Sequence, residues 1–402
     1  MSASALFLGG INGILWLIAL LLFVPIAVLF IECWVAWLPP RQRWEQTKIA
    51  APKLAILMPA HDEAAGIRPV LEGLKVQLKS ADRLVVIADN CTDNTAEVAR
   101  STGATVIERK DPARRGKGYA LDFGMKFLAA DPPDVVVIMD ADCIAEPGTL
   151  DRIGQKAMML NRPVQAIYLM ERPAQPKPKD AVSALAFMVK NLVRPRGLEW
   201  FGLPCPLTGT GMAFPWQVIR SASLASGNIV EDMQLGVDLA IDGYAPSLCT
   251  DAKVKGLLPQ QEKAAKSQRT RWEHGHLQTL LTQVPRLLQV SLQQRRLDLF
   301  MLALDLAIPP LSLLVMLWLV SLLVTAIAGL MGLSWLPAMF VGMAGILLLI
   351  AIVSAWFKFG RADLPALTLL AVPFYVLWKI PLYLAFLVRR QKKWVKTERD
   401  AV

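Results

Sequence analysis

The stretch "VVVIMDADC", residues 135–143, contains an apolar run that leads directly into two acids. The apolar residues Val135–Ile138 are typical of a strand that is covered on both faces of a sheet. In an extended segment residues i and i+2 project to the same side, so Asp140 and Asp142 should point together. Two such carboxylates repel each other unless a cation lies beside them. The pair therefore predicts a site for Mg²⁺ or Mn²⁺, which bind oxygen ligands together with substrate phosphates.

Strands and helices alternate regularly from residue 54 to residue 139. The pattern predicts strands over 54–58, 83–89, 104–108 and 135–139, and helices over 64–79, 93–102 and 116–130. This alternation predicts an α/β fold with a doubly wound, mostly parallel sheet. In such sheets ligands bind beyond the carboxyl ends of the strands.

Polar side chains follow three of these strands. They are His61, Asp62 and Glu63 after the first strand, Asp89, Asn90 and Asp93 after the second, and Asp140 and Asp142 after the fourth. Each acid alone has a structural alternative, since Asp93 could simply cap the next helix. Together they predict a binding site along one edge of the sheet. No G-x-G-x-x-G follows the first strand, which disfavours a dinucleotide cofactor.

The composition indicates a membrane protein. Hydrophobic residues make up 54% of the chain and charged residues 19%, while the net charge of +10 favours anionic partners. Residues 11–38 are predicted to contain the first transmembrane helix rather than a signal peptide, because no basic residues precede the apolar run and no small-residue cleavage site follows it. Arg41, Arg43 and Lys48 follow it, so the domain predicted over 50–275 should lie in the cytosol.

The C-terminal part, residues 299–390, is predicted to be a transmembrane region. Residues 299–328 and 335–357 each read as a span, whereas 364–388 contains three prolines and Lys379. A third span would place the basic tail, 391–402, outside the cell, against the positive-inside rule. We therefore favour a re-entrant segment over a simple span. The amphipathic stretch 276–298 is predicted to be an interfacial helix, with a core-facing helix of the soluble domain as the alternative.

Ordered motifs in the soluble half resemble those of the membrane-integrated family 2 glycosyltransferases, the branch with cellulose, chitin and hyaluronan synthases. They are "MPAHDE" (58–63), "ADNCTD" (88–93), "RRGKG" (114–118), "DAD" (140–142), "TGTGMAF" (208–214), "VED" (230–232) and "QRTRW" (268–272). Two positions depart from the family pattern. Ala88 replaces an Asp, and Val230 replaces the usual Thr.

The resemblance implies a GT-A-like nucleotide-sugar domain and a role for each matching residue. Donor binding falls to His61, Glu63, Asp89, Lys117, Asp140 and Arg271; acceptor binding to Gly209, Thr210, Gly211, Gln268 and Trp272; the metal to Asp142 and Asp140; and catalysis to Asp232 and its neighbour Glu231. Asp232 would be the general base. Lys117 and Arg271 would balance the charge of the leaving diphosphate.

These features predict a metal-dependent, inverting glycosyltransferase of the bacterial inner or plasma membrane. It would transfer a sugar from a nucleotide-diphosphate sugar to a lipid-linked or saccharide acceptor in exopolysaccharide or glycolipid synthesis, using Mg²⁺ or Mn²⁺. A processive polysaccharide synthase and a non-catalytic, membrane-anchored nucleotide-sugar binding protein are the alternatives. Basic residues cluster beside membrane segments and phosphate loops, which disfavours a nucleic-acid partner. His274 and His276 do not form H-E-x-x-H, so packing is favoured over a metal site.

Overall fold

The computed structural model describes residues 3–40, 50–171, 178–226, 230–257, 262–362 and 364–388. The basic residues Arg41, Arg43 and Lys48 and the basic tail at 391–402, on which the predicted topology partly depends, lie outside the described residues.

One mixed sheet forms the centre of the soluble half. Its strands in the described residues are β1 (Leu54–Ala60), β2 (Arg83–Asp89), β3 (Thr105–Arg109), β4 (Val135–Ile138), β5 (Cys143–Ala145), β6 (Val164–Glu171), β7 (Met212–Pro215) and β8 (Ser247–Leu257). Their order is β3-β2-β1-β4-β7-β6-β8-β5. The first four strands pair in parallel, whereas β7 is antiparallel to β4 and β6. The predicted doubly wound, mostly parallel sheet is confirmed.

Helices cover both faces of the sheet. They include α2 (Ile67–Lys75), α3 (Thr95–Ser101), α4 (Lys117–Leu128) and α5 (Thr149–Leu160). Ile56 of β1 packs into the core under α2 and α5, while its neighbour Leu57 packs on the other side under α4. A Cβ at Gly124 of α4 would come within 2.6 Å of the Leu57 side chain, so this close helix–sheet contact depends on glycine. The alternation of strand residues thus builds two cores.

The next helices connect the sheet to the apolar segments. They are α6 (Pro178–Met188), a π-helical turn (Val189–Val193), α7 (Arg194–Trp200), α8 (Trp216–Ile219), α9 (Glu231–Ile241), α10 (Glu262–Gln294) and α11 (Leu297–Leu306). The domain boundary predicted at 275/276 lies inside α10. Leu287 is buried in a core with α9 and α11, and Val284 and Leu288 pack against it. This part of α10 therefore packs against α9 and α11, while Leu281 and Leu292 of the same stretch are exposed; its position at a membrane interface stays a prediction.

Among the residues that the structure describes, four helices are long and apolar enough to cross a membrane. The helices are α1 (Ala3–Val35), α12 (Leu311–Leu330), α13 (Leu336–Ala355) and α14 (Val372–Val388), and the candidate spans within or around them are Phe7–Val35, Leu311–Leu330, Leu336–Gly360 and Leu369–Phe386. The span predicted over 299–328 is divided into α11 and α12 at Pro309-Pro310, because proline cannot continue the helical hydrogen bonding.

A buried charged group joins α1, α7 and α11. Arg194 Nη2 donates to Asp305 Oδ1 at 2.7 Å, and its Nε donates to Glu32 Oε2 at 3.2 Å. Asp305, which lies within the predicted span 299–328, is therefore an ion-pair partner that holds α11 against α7. A buried arginine can satisfy two carboxylates through its planar set of donors.

Candidate active site

The loops after β1 and β2 are tied to each other at the carboxyl edge of the sheet. His61 Nδ1 donates to the Asp89 carbonyl at 2.7 Å. The Asp62 carboxylate accepts from the backbone N–H of Thr92 at 2.6 Å and of Asp93 at 3.3 Å. The backbone N–H of Glu63 donates to Thr95 Oγ1 at 2.8 Å. These bonds place the predicted nucleoside-side residues on one connected pair of loops.

Asp89 is buried and paired with a residue that the sequence motifs do not include. Arg109, at the end of β3, donates to Asp89 Oδ1 at 2.6 Å and also holds Asp111. Asn90 Nδ2 donates to the same Asp89 oxygen at 3.0 Å. Asp89 Oδ1 is thus held in place by Arg109 and Asn90. Arg109 ends a strand at the same edge of the sheet, and that position was the available signal for it.

The two acids of the opening stretch lie together, as predicted. One oxygen each of Asp140 and Asp142 and the sulfur of Cys143 lie within 4.8 Å of one another. Burial, followed by the charge of Asp142, raises the pKa of the Cys143 thiol well above its usual value. A protonated thiol is a poor ligand for a hard cation, which leaves the two carboxylates as suitable oxygen ligands. The donor set therefore fits Mg²⁺ or Mn²⁺.

Lys117, the first residue of α4, links this acidic pair to the acceptor-side loop. Its Nζ donates to the Asp140 carboxylate and to the Gly209 carbonyl, the latter at 2.7 Å. Burial opposes the charge on Lys117, but the neighbouring carboxylates, led by Asp140, raise its pKa above the usual value. The side chain is therefore a fixed cation where the phosphates of a metal-bound diphosphate would lie.

The loop 208–211 has a backbone shape that requires its glycines. Gly209 has φ +91° and Gly211 has φ +65°, in the left-handed region. A Cβ at Gly209 would lie 3.3 Å from Asp232 Oδ2 and 3.7 Å from Lys117 Nζ. Thr210 Oγ1 accepts from the Asp140 backbone N–H at 3.1 Å. This loop therefore contacts Asp140 and Lys117 and lies close to Asp232, the predicted base.

Gln165 of β6 holds the same loop, although no motif includes it. Its Nε2 donates to the Thr210 carbonyl at 2.8 Å, and its Oε1 accepts from the Thr208 backbone N–H at 2.9 Å. The side chain is buried. Gln165 reads as an ordinary polar residue of a strand in the sequence, and only strand pairing shows that it faces the loop.

Glu231 and Asp232 begin α9 and share one half-buried environment. Burial, with the adjacent Asp232 charge as the next cause, raises the pKa of Glu231 to about 7. Burial also raises the pKa of Asp232, while Lys117 and Lys190 act in the opposite direction. Lys190, from the π-helical turn, was not predicted, and burial lowers its pKa. A carboxylate with a raised pKa beside a cation is suited to accept a proton.

The segment of α10 that carries the predicted Gln268, Arg271 and Trp272 packs beside these acids. A Cβ at Gly275 would come within 2.4 Å of Val230 Cγ1, so α10 lies directly against the residue that precedes Glu231. The Val230 departure from the family pattern thus fills a packing contact. Trp272 packs on Phe187, with ring centroids 5.5 Å apart. Gln268 is buried, and its Oε1 has no hydrogen-bond partner among the described residues.

The two histidines of this helix are buried in separate contacts. His274 Nε2 donates to the Leu382 carbonyl at 3.1 Å. Burial, followed by the charges of Lys190 and Arg194, lowers the pKa of His276 well below its usual value. In the described part of the chain, neither histidine belongs to a group of potential metal ligands.

The structure therefore joins Lys117, Asp140, Gly209 and Thr210 by hydrogen bonds and by their position in one loop, and it places Asp232 close to Gly209. Asp142 and Glu231 adjoin it, Asp142 beside Asp140 and Glu231 within the electrostatic field of Lys117. His61, Glu63 and Asp89 lie on neighbouring loops of the same sheet edge. Gly211 turns toward β8, where a Cβ would meet Val254 at 2.7 Å.

We expect sugar transfer, the activity that the resemblance implies, to depend on pH because Glu231 and Asp232 both have raised pKa values. Lowering the pH through about 7 should protonate Glu231, and Asp232 should take up its proton at a higher pH than an ordinary aspartate does. The value of kcat/KM should therefore fall on the acidic side. In Glu231→Gln the part of this fall near pH 7 should disappear, because the group that takes up a proton there is gone. A fall near pH 7 that persists in the variant would contradict this assignment.

The fold has a GT-A-like architecture, with a group of acidic and basic residues at the carboxyl edge of its sheet. Residues 52–275 match the family described as "Glycosyltransferase like family 2". The chain belongs to this family, since the match covers more than half of its length.

Similar curated proteins and structures agree with this assignment. The low-salt glycan biosynthesis hexosyltransferase Agl6 of Haloferax volcanii is 37% identical over 23% of this chain and 22% of that protein. The probable glycosyltransferase YdaM of Bacillus subtilis is 23% identical over 64% of this chain and 63% of its own length. The match therefore spans less than two thirds of either relative. The mannosyltransferase PcManGT of Pyrobaculum calidifontis has a similar fold, with a TM-score of 0.53 and 17% identity over 91% of this chain and 99% of that one.

Proposed function

We propose that this family 2 glycosyltransferase is a membrane-bound, inverting, metal-dependent enzyme that adds a sugar to a lipid-linked or saccharide acceptor in exopolysaccharide or glycolipid synthesis. The observation that supports it best is the convergence on Gly209 of Lys117, which holds Asp140, and of Asp232. A group for the leaving diphosphate and a base for the acceptor hydroxyl thus lie next to the same glycine.

In this proposal the residues act in a single displacement. Asp232 takes the proton of the acceptor hydroxyl, whose oxygen forms a bond to the anomeric carbon as the bond from that carbon to the diphosphate breaks. One base and one leaving group give inversion at the anomeric carbon. Lys117 and Arg271 face the charge that develops on the nucleoside diphosphate. Mg²⁺ or Mn²⁺, held by Asp142 and Asp140, would supply further charge stabilisation there.

The nucleoside side of the donor is assigned to the tied loops after β1 and β2. His61 and Glu63 would face the nucleoside. Asp89 would bind the base through Oδ2, because its Oδ1 already accepts a hydrogen bond from Arg109. The mannosyltransferase of similar fold was solved with GDP-Man and Mn²⁺. That structure supports a nucleotide-diphosphate sugar as the class of donor, without defining the base or the sugar here.

The acceptor side is assigned to the loop 209–211 with Gln268 and Trp272 of α10. The unpaired Gln268 Oε1 is suited to accept a hydrogen bond from a hydroxyl group of the acceptor. The same helix lies against α14, one of the apolar helices. This position supports an acceptor presented from a lipid surface.

The packing of the apolar helices supports single or limited transfer over processive synthesis. Phe23 of α1 packs on Phe340 of α13 with ring centroids 4.9 Å apart. A Cβ at Gly345 of α13 would lie 2.3 Å from the Trp318 ring of α12. The inward sides of these helices thus contact one another closely. Product sizing with radiolabelled donor tests this point, since a ladder or a long polymer would contradict single transfer.

A donor panel tests the proposed activity. Purified protein with Mn²⁺ or Mg²⁺ should release nucleoside diphosphate from one or a few nucleotide-diphosphate sugars when membrane extract supplies the acceptor. The release should disappear with a chelator, because the metal neutralises the leaving group. Metal-dependent donor binding without release from any donor would instead support a nucleotide-sugar binding protein.

A further inference from the structure

The last apolar helix, α14, is attached to the catalytic half along much of its length. The Lys379 ammonium donates to the Glu273 carboxylate of α10. His274 of α10 donates to the Leu382 carbonyl and packs edge-on against Phe386, with ring centroids 5.3 Å apart. Helix α14 thus follows the part of α10 immediately after Gln268, Arg271 and Trp272.

Both ends of this helix lie near points on the same side of the membrane. Helices α12 and α13 form a hairpin, because five residues, 331–335, separate them, so Leu311 and Ala355 lie at the same end of the pair. After α13 the chain returns to the catalytic half, where a Cβ at Gly360 would lie 3.3 Å from Met188 of α6. Farther along, Tyr383 of α14 shares a hydrogen bond of 2.6 Å with Ser312, in the first turn of α12.

The two faces of α14 differ as expected for a helix that lies along a membrane surface. The face toward α6, α10 and α12 is buried and includes polar groups; its members are Tyr375, Val376, Lys379, Tyr383 and Phe386. The opposite face is apolar and exposed; with the preceding 3-10 helix (Ala366–Ala371) it comprises Leu370, Phe374, Leu377, Leu384 and Val388. A helix of this kind can lie along a membrane surface with its apolar face in the lipid. Its length of 17 residues, about 26 Å at 1.5 Å per residue, does not decide between lying and crossing.

We propose that α14 lies in the plane of the membrane on the side of the catalytic domain, without crossing, and that Lys379 positions the acceptor-binding segment of α10. The partner of its exposed face is the lipid surface. This inference rests on the proposed membrane setting. It gives the chain three crossings, α1, α12 and α13, and keeps the basic sequence "RRQKKWVK" (389–396) on the cytosolic side.

Cysteine labelling tests the path of α14 without requiring activity. In a Cys91→Ser background, Val402→Cys should react with an impermeant maleimide from the same side of membrane vesicles as Val76→Cys, an exposed position of the soluble domain. Met331→Cys, in the α12–α13 turn, should react from the other side. Labelling of Val402→Cys from the side of Met331→Cys would overturn the proposal. If instead Val76→Cys and Met331→Cys react from one side, the membrane setting itself is wrong.

Kinetics test the positioning role of Lys379. Lys379→Met leaves the Glu273 carboxylate buried without its partner, so the KM for the acceptor should rise by roughly tenfold or more, since small displacements of positioning groups have effects of this size. The Kd for the donor should remain close to that of the wild type. Lys379→Arg should restore much of the acceptor affinity, and Lys358→Met, an exposed lysine after α13, serves as the control.

A double variant with reversed charges distinguishes loss of the ion pair from misfolding. The variant with Glu273→Lys and Lys379→Glu should recover acceptor affinity relative to either single reversal, because it rebuilds the ion pair between α10 and α14. Wild-type acceptor KM in Lys379→Met would remove Lys379 from the positioning role. Equal loss of donor and acceptor binding that neither Lys379→Arg nor the reversed pair restores would show a purely structural role.

Discussion

Asp232→Asn should abolish sugar transfer while leaving donor binding nearly intact. The amide has the size of the carboxylate but cannot accept the acceptor proton, so kcat should fall by about 100-fold or more, the usual contribution of a general base. Donor binding should persist because Lys117, Asp140 and Asp142 remain in place. The measurements are the release of nucleoside diphosphate with acceptor present and isothermal calorimetry with the donor.

A matched control lies on the same helix. Asp242→Asn changes an exposed acid that follows the last turn of α9 and should leave both measurements unchanged. If Asp232→Asn instead loses donor binding in calorimetry, Asp232 belongs to the donor site and the base must be sought elsewhere. Full transfer by Asp232→Asn would exclude it from proton transfer.

Asp142→Ala should remove the metal dependence of donor binding. Loss of groups that only orient metal ligands typically lowers metal affinity by about 10–100-fold, so loss of a direct ligand should cost at least as much. Donor titrations with and without Mn²⁺ measure the effect. In the wild type Mn²⁺ should strengthen binding, and in the variant this difference should largely disappear.

Asp122→Ala is the matched control for this second change. Asp122 lies in α4 and pairs with the exposed Lys126, so its removal affects a surface contact of little energetic weight. Unchanged metal dependence in Asp142→Ala would refute the assignment of this carboxylate. A loss of Mn²⁺ dependence in Asp122→Ala would show that the effect is not specific to the acidic pair.

The sequence was sufficient to predict the sheet and the positions of the acids along its edge. A continuous apolar run such as 135–138 indicates a strand that is buried on both faces of a parallel sheet. The residues that follow such a strand lie at the carboxyl edge of the sheet. The adjacency of Asp140 and Asp142 was predicted from the two-residue period of an extended chain. In the structure β4 ends at Ile138, and a turn brings the two acids together, since the Cys143 backbone N–H donates to the Asp140 carbonyl at 3.2 Å. These predictions depend only on the conformation of short segments, which is determined largely by residues that are close in the sequence.

Contacts between residues far apart in the chain could not be read in this way. Arg109 and Gln165, which hold Asp89 and the loop at Thr210, look like ordinary strand residues because their partners are 20 and 45 positions away. Lys190 becomes a neighbour of Asp232 only because a π-helical turn brings it there. The sequence motifs therefore identified the groups proposed for chemistry and missed those that hold them.

For the apolar helices, too, the sequence predicted what depends on neighbouring residues but not what depends on contacts between distant ones. Apolar length and composition in the sequence were enough to mark helices that could cross a membrane. The sequence alone could not determine whether α14 crosses or lies flat, because a segment of that length is compatible with both. Only the tertiary structure paired Lys379 with Glu273 and Tyr383 with Ser312, and such pairings depend on how distant helices pack rather than on the order of residues within one helix.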